Sequence, residues 1–347
     1  MENAKSKFSI SAKTLPELEE FVVSIDEPKF RAKQLHQWIY SKFASSFDDM
    51  HNISKVFKEK LKENAVISRV KIKQKLVSSD GTVKYLVEFE DGNVVETVLM
   101  RFDNRPNLTA CVSSQVGCPV GCAFCATGQG GFIRNLTAQE IVEQVMTIQR
   151  DMQLRVTNIV FMGQGEPLLN LDNVLRAINF INDDVGIGIR RITVSTSGVI
   201  PGLKKLEQLN VQVTMALSLH APNHELRRQL IPIEEKYNVK DVIEAMTNLV
   251  NTTKKRATIE YTMIDEVNDT PKHAEEMLHL IKNLHCNINL IPYNDTVGDK
   301  FKKSSEEKIN KFKFILERSP KKVTVRLERG ADILAACGQL TGKVVKD

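Results

Sequence analysis

The sequence predicts an α/β protein, a partial (β/α)6 barrel preceded by a small helical and β accessory part. Seven short apolar runs follow one another after residue 107, at 108–112, 158–162, 192–195, 211–219, 258–263, 288–291 and 323–327. Amphipathic helical patterns fall between most of them, near 137–152, 172–182, 239–250, 271–284 and 304–317. Parallel strands need long crossovers, so this alternation implies a parallel sheet covered by helices, with chemistry at the carboxyl ends of the strands. Before residue 107 the hydrophobic period is first helical and then alternating, which marks a different architecture.

Residues 1–67 read as a helical accessory domain resembling a helix–hairpin–helix. Phe30, Ala32, Leu35, Trp38 and Ile39 recur at near-helical spacing, and a second apolar series runs through Val56, Phe57, Leu61 and Ala65. Residues 68–103 read as an antiparallel β extension. Val70, Ile72, Val77, Val83, Tyr85, Val87 and Phe89 alternate with polar residues, and Asp80-Gly81 and Asp91-Gly92 supply turn dipeptides. Residues 104–347 are the catalytic domain. Its first long helix is announced by Thr137 and Glu140, three apart as in a capping box.

With 347 residues, 42% of them hydrophobic, the chain can bury a large core, which excludes disorder as the dominant state. No apolar run approaches the roughly 18 residues of a membrane-spanning helix. Met1–Lys5 lead into a polar segment without an apolar stretch, which argues against a secretory signal. The formal charge is +5, and residues 295–347, with 13 basic and 8 acidic side chains, hold the whole surplus. That surplus suits either a polyanionic partner or a solvated lysine-rich face. Six cysteines are too few for a disulfide scaffold, and three crowd together, as expected of a cytoplasmic protein whose cysteines do chemistry. Nothing points to an oligomer, and a monomer is the default.

Cys118, Cys122 and Cys125 stand in a C-x-x-x-C-x-x-C spacing within a loop rich in small residues. Structural zinc usually takes four protein ligands in paired knuckles, and no second pair exists here. Iron–sulfur clusters usually take four thiolates, so three would leave one iron open. The spacing resembles that of radical S-adenosylmethionine (SAM) enzymes, which implies a 4Fe-4S cluster on these three cysteines with SAM at the open iron. The run 158–162 leads into Gly163-Gln164-Gly165-Glu166-Pro167, a glycine-rich turn whose carboxylate suits a ligand ammonium approaching closely. Polar residues close later strands at Ser195, at Ser218-Leu219-His220 and at Asn294.

Three other cysteines need separate accounts. Cys286 reads as a buried, inert thiol. Cys111 lies seven residues before the cluster motif, and Cys337 lies in Ala335-Ala336-Cys337-Gly338-Gln339-Leu340, a loop-like context. Five separated stretches, Cys111–Cys118, Met162–Asn170, Ser218–Asn223, Asn289–Pro292 and Ala335–Leu340, together resemble the RlmN/Cfr family of radical SAM RNA adenine methyltransferases. The likeness covers about residues 91–342, and the N-terminal part is similar to the family's accessory domain. Glu166-Pro167 and Arg329-Gly330 look more like the RlmN branch. Gln164 departs from the family, where methionine is common.

The resemblance implies two SAM molecules per turnover. Cys337 would take a methyl group from the first, and reductive cleavage of the second would activate that methyl for addition to adenine. Cys111 would then form a disulfide with Cys337 and release the base, and Glu96 would accept a proton. Gly165, Glu166, Ser195, Ser218, Leu219, His220 and Asn294 match the family's SAM-contacting positions. From its own pattern, Glu96 reads as a solvent-facing strand carboxylate. Implied substrates are 23S rRNA, at C2 of an adenine in the peptidyl-transferase centre, and tRNA, at an adenine beside the anticodon. Flavodoxin or ferredoxin is the implied electron donor. Competing readings are methylation at C8, a radical SAM enzyme with a non-RNA substrate, and a zinc-stabilised RNA-binding module.

Overall fold

The computed structural model describes residues 7–102, 105–295 and 300–343; the extreme N-terminus and the last four residues, read above only from sequence, lie outside it. The accessory part comprises β1 (Phe8–Ser9), α1 (Leu15–Ser24), α2 (Arg31–Tyr40), α3 (Lys55–Asn64) and β2 (Ala65–Val66). Thr14 and Glu17 form a capping box at the start of α1, and Ser54 caps α3, satisfying N–H groups that a helix start leaves unpaired. α2 buries Ala32, Leu35, Trp38 and Ile39 as its pattern predicts. In α3 only Phe57 and Leu61 are buried, while Val56 is 69% exposed. Neighbours on a helix point about 100° apart, so Val56 and Phe57 cannot share the core face.

The extension follows as β3 (Lys71–Val77), β4 (Val83–Glu88) and β5 (Val94–Phe102), joined by the two expected turns, where Gly81 and Gly92 adopt φ of +80° and +78°. Asp80 and Asp91 each accept an N–H two residues on, which closes these turns. The catalytic part continues with β6 (Arg105–Cys111), β7 (Gln115–Gly117), α4 (Ala126–Gln129), β8 (Phe132–Asn135), α5 (Ala138–Met152), β9 (Asn158–Phe161) and α6 (Leu171–Asp183). Then come β10 (Ile192–Thr196), α7 (Ile200–Gln208), β11 (Thr214–Ser218), α8 (His224–Leu230), α9 (Val239–Thr253) and β12 (Ala257–Met263). The last are α10 (Pro271–Leu280), β13 (Cys286–Pro292), α11 (Glu306–Leu316) and β14 (Val323–Val325). Thr137 and Glu140 form the predicted capping box on α5.

One sheet of ten strands runs β14-β13-β12-β11-β10-β9-β6-β5-β4-β3. From β6 to β14 every pairing is parallel, and β5, β4 and β3 continue it antiparallel. The extension therefore hydrogen-bonds into the barrel sheet through β5 and β6. β3 and β14 are its unpaired edges, so the barrel is partial, with six main parallel strands and a short seventh. Lysines at 71, 73 and 75 line the β3 edge, charge that discourages pairing with another chain. α7 and α8 have no counterpart in the sequence reading. α7 opens Ile200-Pro201-Gly202, which reads as a loop, yet Pro is at home in a first helical turn. A Cβ on Gly202 would stand 2.7 Å from Leu168 Cβ, so glycine is there for close packing.

Phe57→Ala is expected to destabilise the accessory helices by about 3–5 kcal/mol, against less than about 0.5 kcal/mol for Val56→Ala, read from denaturant titrations followed by circular dichroism.

Candidate active site

Cys118, Cys122 and Cys125 lie on the loop that leaves β7 and enters α4, with Cys125 capping that helix. The short hairpin of β7 and β8 fixes the loop, and the Cys118 N–H donates to the Gly131 carbonyl at 2.8 Å. Gly117 (φ +72°) makes this possible, because a Cβ there would stand 2.0 Å from the Gly131 oxygen. Val120, Phe124, Ala221, Leu230, Ile231, Ile264 and Tyr293 pack around the three cysteines in an apolar nest. Burial pushes the Cys118 thiol up to about 12 and raises Cys122 and Cys125 as well; Cys125 adds to the rise at Cys118 and Cys122, and Cys337 adds to that at Cys125. Three mutually repelling thiolates in an apolar nest need a cationic partner, which ligated iron supplies. Among the described residues no three His, Cys, Asp or Glu side chains surround a single ion. A cubane cluster asks each cysteine to bind a different iron, and three cysteines lining one cavity without a fourth Cys or a His ligand beside them in the motif suit such a cluster.

The three cysteines share a cavity of about 170 Å³ with Gly165, Glu166, Ser195, Ser218, His220, Asn294 and Cys337. The carboxyl ends of successive strands bring these residues together, as barrel topology requires. Glu166 is buried; its Oε2 accepts from the N–H of Ser197 at 2.7 Å and its hydroxyl at 2.8 Å. Burial raises its pKa, and these hydrogen bonds oppose the rise. The glycines of this turn line the cavity and are also required by packing on its outer side. A Cβ on Gly163 would meet Ser113 Oγ at 2.7 Å, and one on Gly165 would meet Gln115 Cβ at 2.6 Å. Gln164 points away from the cavity, where its Oε1 accepts the N–H of Glu96 at 3.0 Å. The departure at position 164 therefore leaves the cavity wall unchanged.

His220 accepts the Thr262 N–H at Nδ1, 2.9 Å, so its proton sits on Nε2. Burial, assisted by Arg227, depresses its pKa to about 3. Ser195 and Ser218 face each other with Oγ atoms 3.2 Å apart. Leu219 is not on the cavity wall. Its side chain is fully buried in the main core, and its carbonyl accepts from Arg227 Nε.

A second cavity of about 440 Å³ is lined by Cys111, Cys337, Met100, Phe102, Val325, Leu327 and Arg329 among others. Cys337, Asn294, Met162, Ile291 and Arg326 border both cavities, so the Cys337 loop forms part of the wall between them. Cys111 and Cys337 are both free thiols. Burial, then the nearby Cys337, push Cys111 up to about 12. Cys286 is 3% exposed and borders neither cavity.

Glu96 is not the surface carboxylate its strand pattern suggests. It is 1% exposed, pairs with Lys84 Nζ at 3.0 Å and accepts the N–H groups of Thr341 (2.6 Å) and Gly342 (2.9 Å). The covering segment comes from 245 residues along the chain, which strand alternation cannot reveal. It borders neither cavity.

Three further residues escaped the sequence reading. Arg227 is fully buried, pairs with Glu234 Oε2 at 2.5 Å and donates to the carbonyls of Ser197, Ser218 and Leu219, locking two strand ends. Glu260 reaches the first cavity from β12, accepting from Asn289 at 3.0 Å. Arg326, counted above within a basic surface, turns inward 3.8 Å from Glu260. Charged residues inside an otherwise apolar barrel strand, such as Glu260, were the available signal.

A Radical SAM superfamily model matches residues 112–281, and one for the ribosomal RNA large subunit methyltransferase N-terminal domain matches residues 10–67. The chain is 44% identical over 337 residues to a probable dual-specificity RNA methyltransferase RlmN of Clostridium novyi, covering 96% of this chain and 98% of that one. It is 46% identical over 343 residues to the protein of that name from a Thermoanaerobacter species, covering 98% and 99%. A radical SAM methyltransferase from Sphaerobacter thermophilus superposes with a TM-score of 0.90 at 41% identity, covering 97% of this chain and all of that one.

Two outcomes are expected. Gly117→Ala protein should hold at most about half the iron of wild type after anaerobic reconstitution, because the Cys118 turn can no longer close on Gly131. The His220 imidazole should keep the neutral, Nε2-protonated nitrogen shifts from pH 8 down to pH 5; a midpoint near its ordinary 6.5 would contradict the burial argument.

Proposed function

Because the chain belongs to the RlmN family of radical SAM RNA methyltransferases, we propose that it methylates C2 of an adenine in the peptidyl-transferase centre of 23S rRNA, and of the adenine beside the anticodon in tRNA. The observation that carries this reading is the position of Cys337, on the wall shared by the cavity of the three cysteines and the cavity of Cys111. A thiol placed there can be loaded on one side and discharged on the other.

Cys118, Cys122 and Cys125 would hold the 4Fe-4S cluster, and Gly165, Glu166, Ser195, Ser218, His220 and Asn294 would surround SAM, while Leu219, whose carbonyl holds Arg227, would support that wall from behind. Glu166 offers a fixed carboxylate to an ammonium, and neutral His220 offers an Nε2–H. Cys337 gives up its proton and takes the methyl of a first SAM, breaking that sulfonium's bond to carbon. When bound, the cluster would supply the electron for reductive cleavage of a second SAM, the chemistry needed to activate the S-methyl group that Cys337 carries. C2 of adenine is too electron-poor to attack a sulfonium, so a carbon radical carried by Cys337 answers the chemical difficulty. The adduct on C2 would lose its unpaired electron to the redox centre. The Cys111 thiolate would then attack the Cys337 sulfur, forming the disulfide and breaking the bond to the transferred carbon, which would take up a proton to become the methyl group. The external electron donor would reduce the disulfide back to two thiols. Glu96 receives the proton lost from C2. Its carboxylate is closed off by the N–H groups of Thr341 and Gly342, so the transfer would require those two hydrogen bonds to open during turnover.

The larger cavity suits a base. Met100, Phe102, Val325 and Leu327 give apolar walls, and the Arg329 guanidinium lies 5.6 Å from the Phe102 ring centre. An adenine in folded RNA enters only when splayed out of its stack. Flavodoxin or ferredoxin is the proposed donor of the electrons, and the RNA substrates place the reaction in the cytoplasm. Among the described residues no helix is long and apolar enough to cross a membrane.

Expressed in a host lacking this activity, the wild type should yield 2-methyladenosine in digested rRNA and tRNA by mass spectrometry; 8-methyladenosine in its place overturns the C2 assignment. Cys337→Ala should keep its iron and yield no methylated adenine. Cys111→Ala should load Cys337 and stall with RNA covalently attached, visible as a slow band on a denaturing gel that ribonuclease collapses.

A further inference from the structure

The segment around Cys337 has almost no secondary structure of its own beyond a single 3-10 turn at Ala331–Ile333. Gly330, Leu334, Gly338 and Gly342 all have positive φ, and Leu334, at +52°, lacks the freedom glycine has there. Such a segment keeps one shape only if its surroundings impose it. Two of the holding groups are a buried ion pair. Lys84 lies opposite Val98 on the neighbouring strand, and Glu96, two residues before Val98, shares its face of the β4–β5 pair. Their side chains, 4% and 2% exposed, meet at 3.0 Å.

Each partner also reaches one end of the loop. Lys84 Nζ donates to the Leu334 carbonyl at 3.0 Å, three residues before Cys337. Glu96 Oε2 accepts from Thr341 and Gly342, four and five residues after it. One charge pair thus spans the base of the loop, and its hydrogen bonds are charge-assisted and shielded from water.

Resting on the reading of Cys337 as methyl carrier, we propose that Lys84 is a positioning residue: with Glu96 it clamps residues 334–342 so that Cys337 stays on the wall between the two cavities. Lys84 touches neither cavity and takes no part in the chemistry. Its amine does two things that an apolar residue of equal size cannot. It holds the Leu334 carbonyl, and it balances the Glu96 charge that holds Thr341 and Gly342.

Hydrogen exchange on the reconstituted full-length protein tests this. Lys84→Met should speed exchange of the 335–342 amides at least about tenfold while the β6 and β9–β13 amides keep their protection. The same variant should retain its iron and methylate RNA at least about tenfold more slowly, with the loss in kcat rather than KM. Lys84→Arg, which keeps charge and donors, should restore both. Wild-type exchange in Lys84→Met overturns the clamp. If Lys84→Met fails to fold because Glu96 is left charged and alone, Lys84→Met/Glu96→Leu leaves no buried charge, and its 335–342 amides should exchange fast; protected amides there equally overturn the clamp. Should the wild type prove unable to methylate RNA, the proposed function fails, and the exchange results still decide the clamp.

Discussion

A loop without regular secondary structure that is partly buried has to find partners for its enclosed peptide groups elsewhere, and this constraint organises the protein around Cys337. An unpaired buried carbonyl or N–H costs about 1–3 kcal/mol, so a segment like 334–342 stays folded only inside a frame of donors and acceptors. The cysteine loop supplies two: Ala126 N–H to the Gly338 carbonyl at 2.8 Å, and Thr127 Oγ1 to the Leu340 carbonyl at 2.6 Å. The barrel mouth supplies Asn294, whose Nδ2 donates to the Cys337 carbonyl at 3.0 Å. The extension supplies Lys84, Glu96 and, further back, Ser78 and Asp80, which hold Asp332 and the Gly330 N–H. The antiparallel strands are thus a structural necessity for the site, although their own side chains scarcely border the smaller cavity.

Electrostatics of the mouth follow from the same burial. Low dielectric drives thiols and carboxyls towards their neutral forms, and it drives His220 the same way. The protein therefore presents a set of largely neutral groups beside the Arg326 guanidinium, with Arg227 neutralised by Glu234 behind them. Charge arrives with ligands. A cationic metal centre offsets three thiolates, and a ligand ammonium offsets Glu166. Each binding event brings the counter-charge that the other side lacks, which makes the occupied site more stable electrostatically than the empty one.

The cysteine spacing, the Gly-x-Gly-Glu turn and the alternation of strands and helices were legible because each is local, recorded within a dozen neighbouring residues. Long-range facts were not. Glu96 reads as exposed because strand alternation reports which side of a strand is polar, and not that a distant tail covers that side. Leu219 sits beside two cavity-lining residues but faces the opposite way, into the core, where adjacent positions at a strand end diverge. α7 was hidden by a proline and a glycine that each have specific packing or capping reasons to be there. Arg326 was grouped with surface cations because charge counts carry no direction.

That last misreading changes what the C-terminal charge surplus does. Several of its cations are already paired with carboxylates: Lys303 with Glu328, Lys308 with Asp265, Lys313 with Glu317 and Arg326 near Glu260. A cation paired within the protein attracts phosphate weakly, because the field of its partner cancels most of its own beyond a few ångströms. The surplus is therefore a poor candidate for a strong, nonspecific hold on RNA. On the proposed function, selection would come from the walls of the larger cavity, where Phe102 and Arg329 offer a face to an extruded base, and from the cost of extruding it. A modest net charge then helps the enzyme, since it keeps the mouth from being occupied by every polyanion that diffuses past.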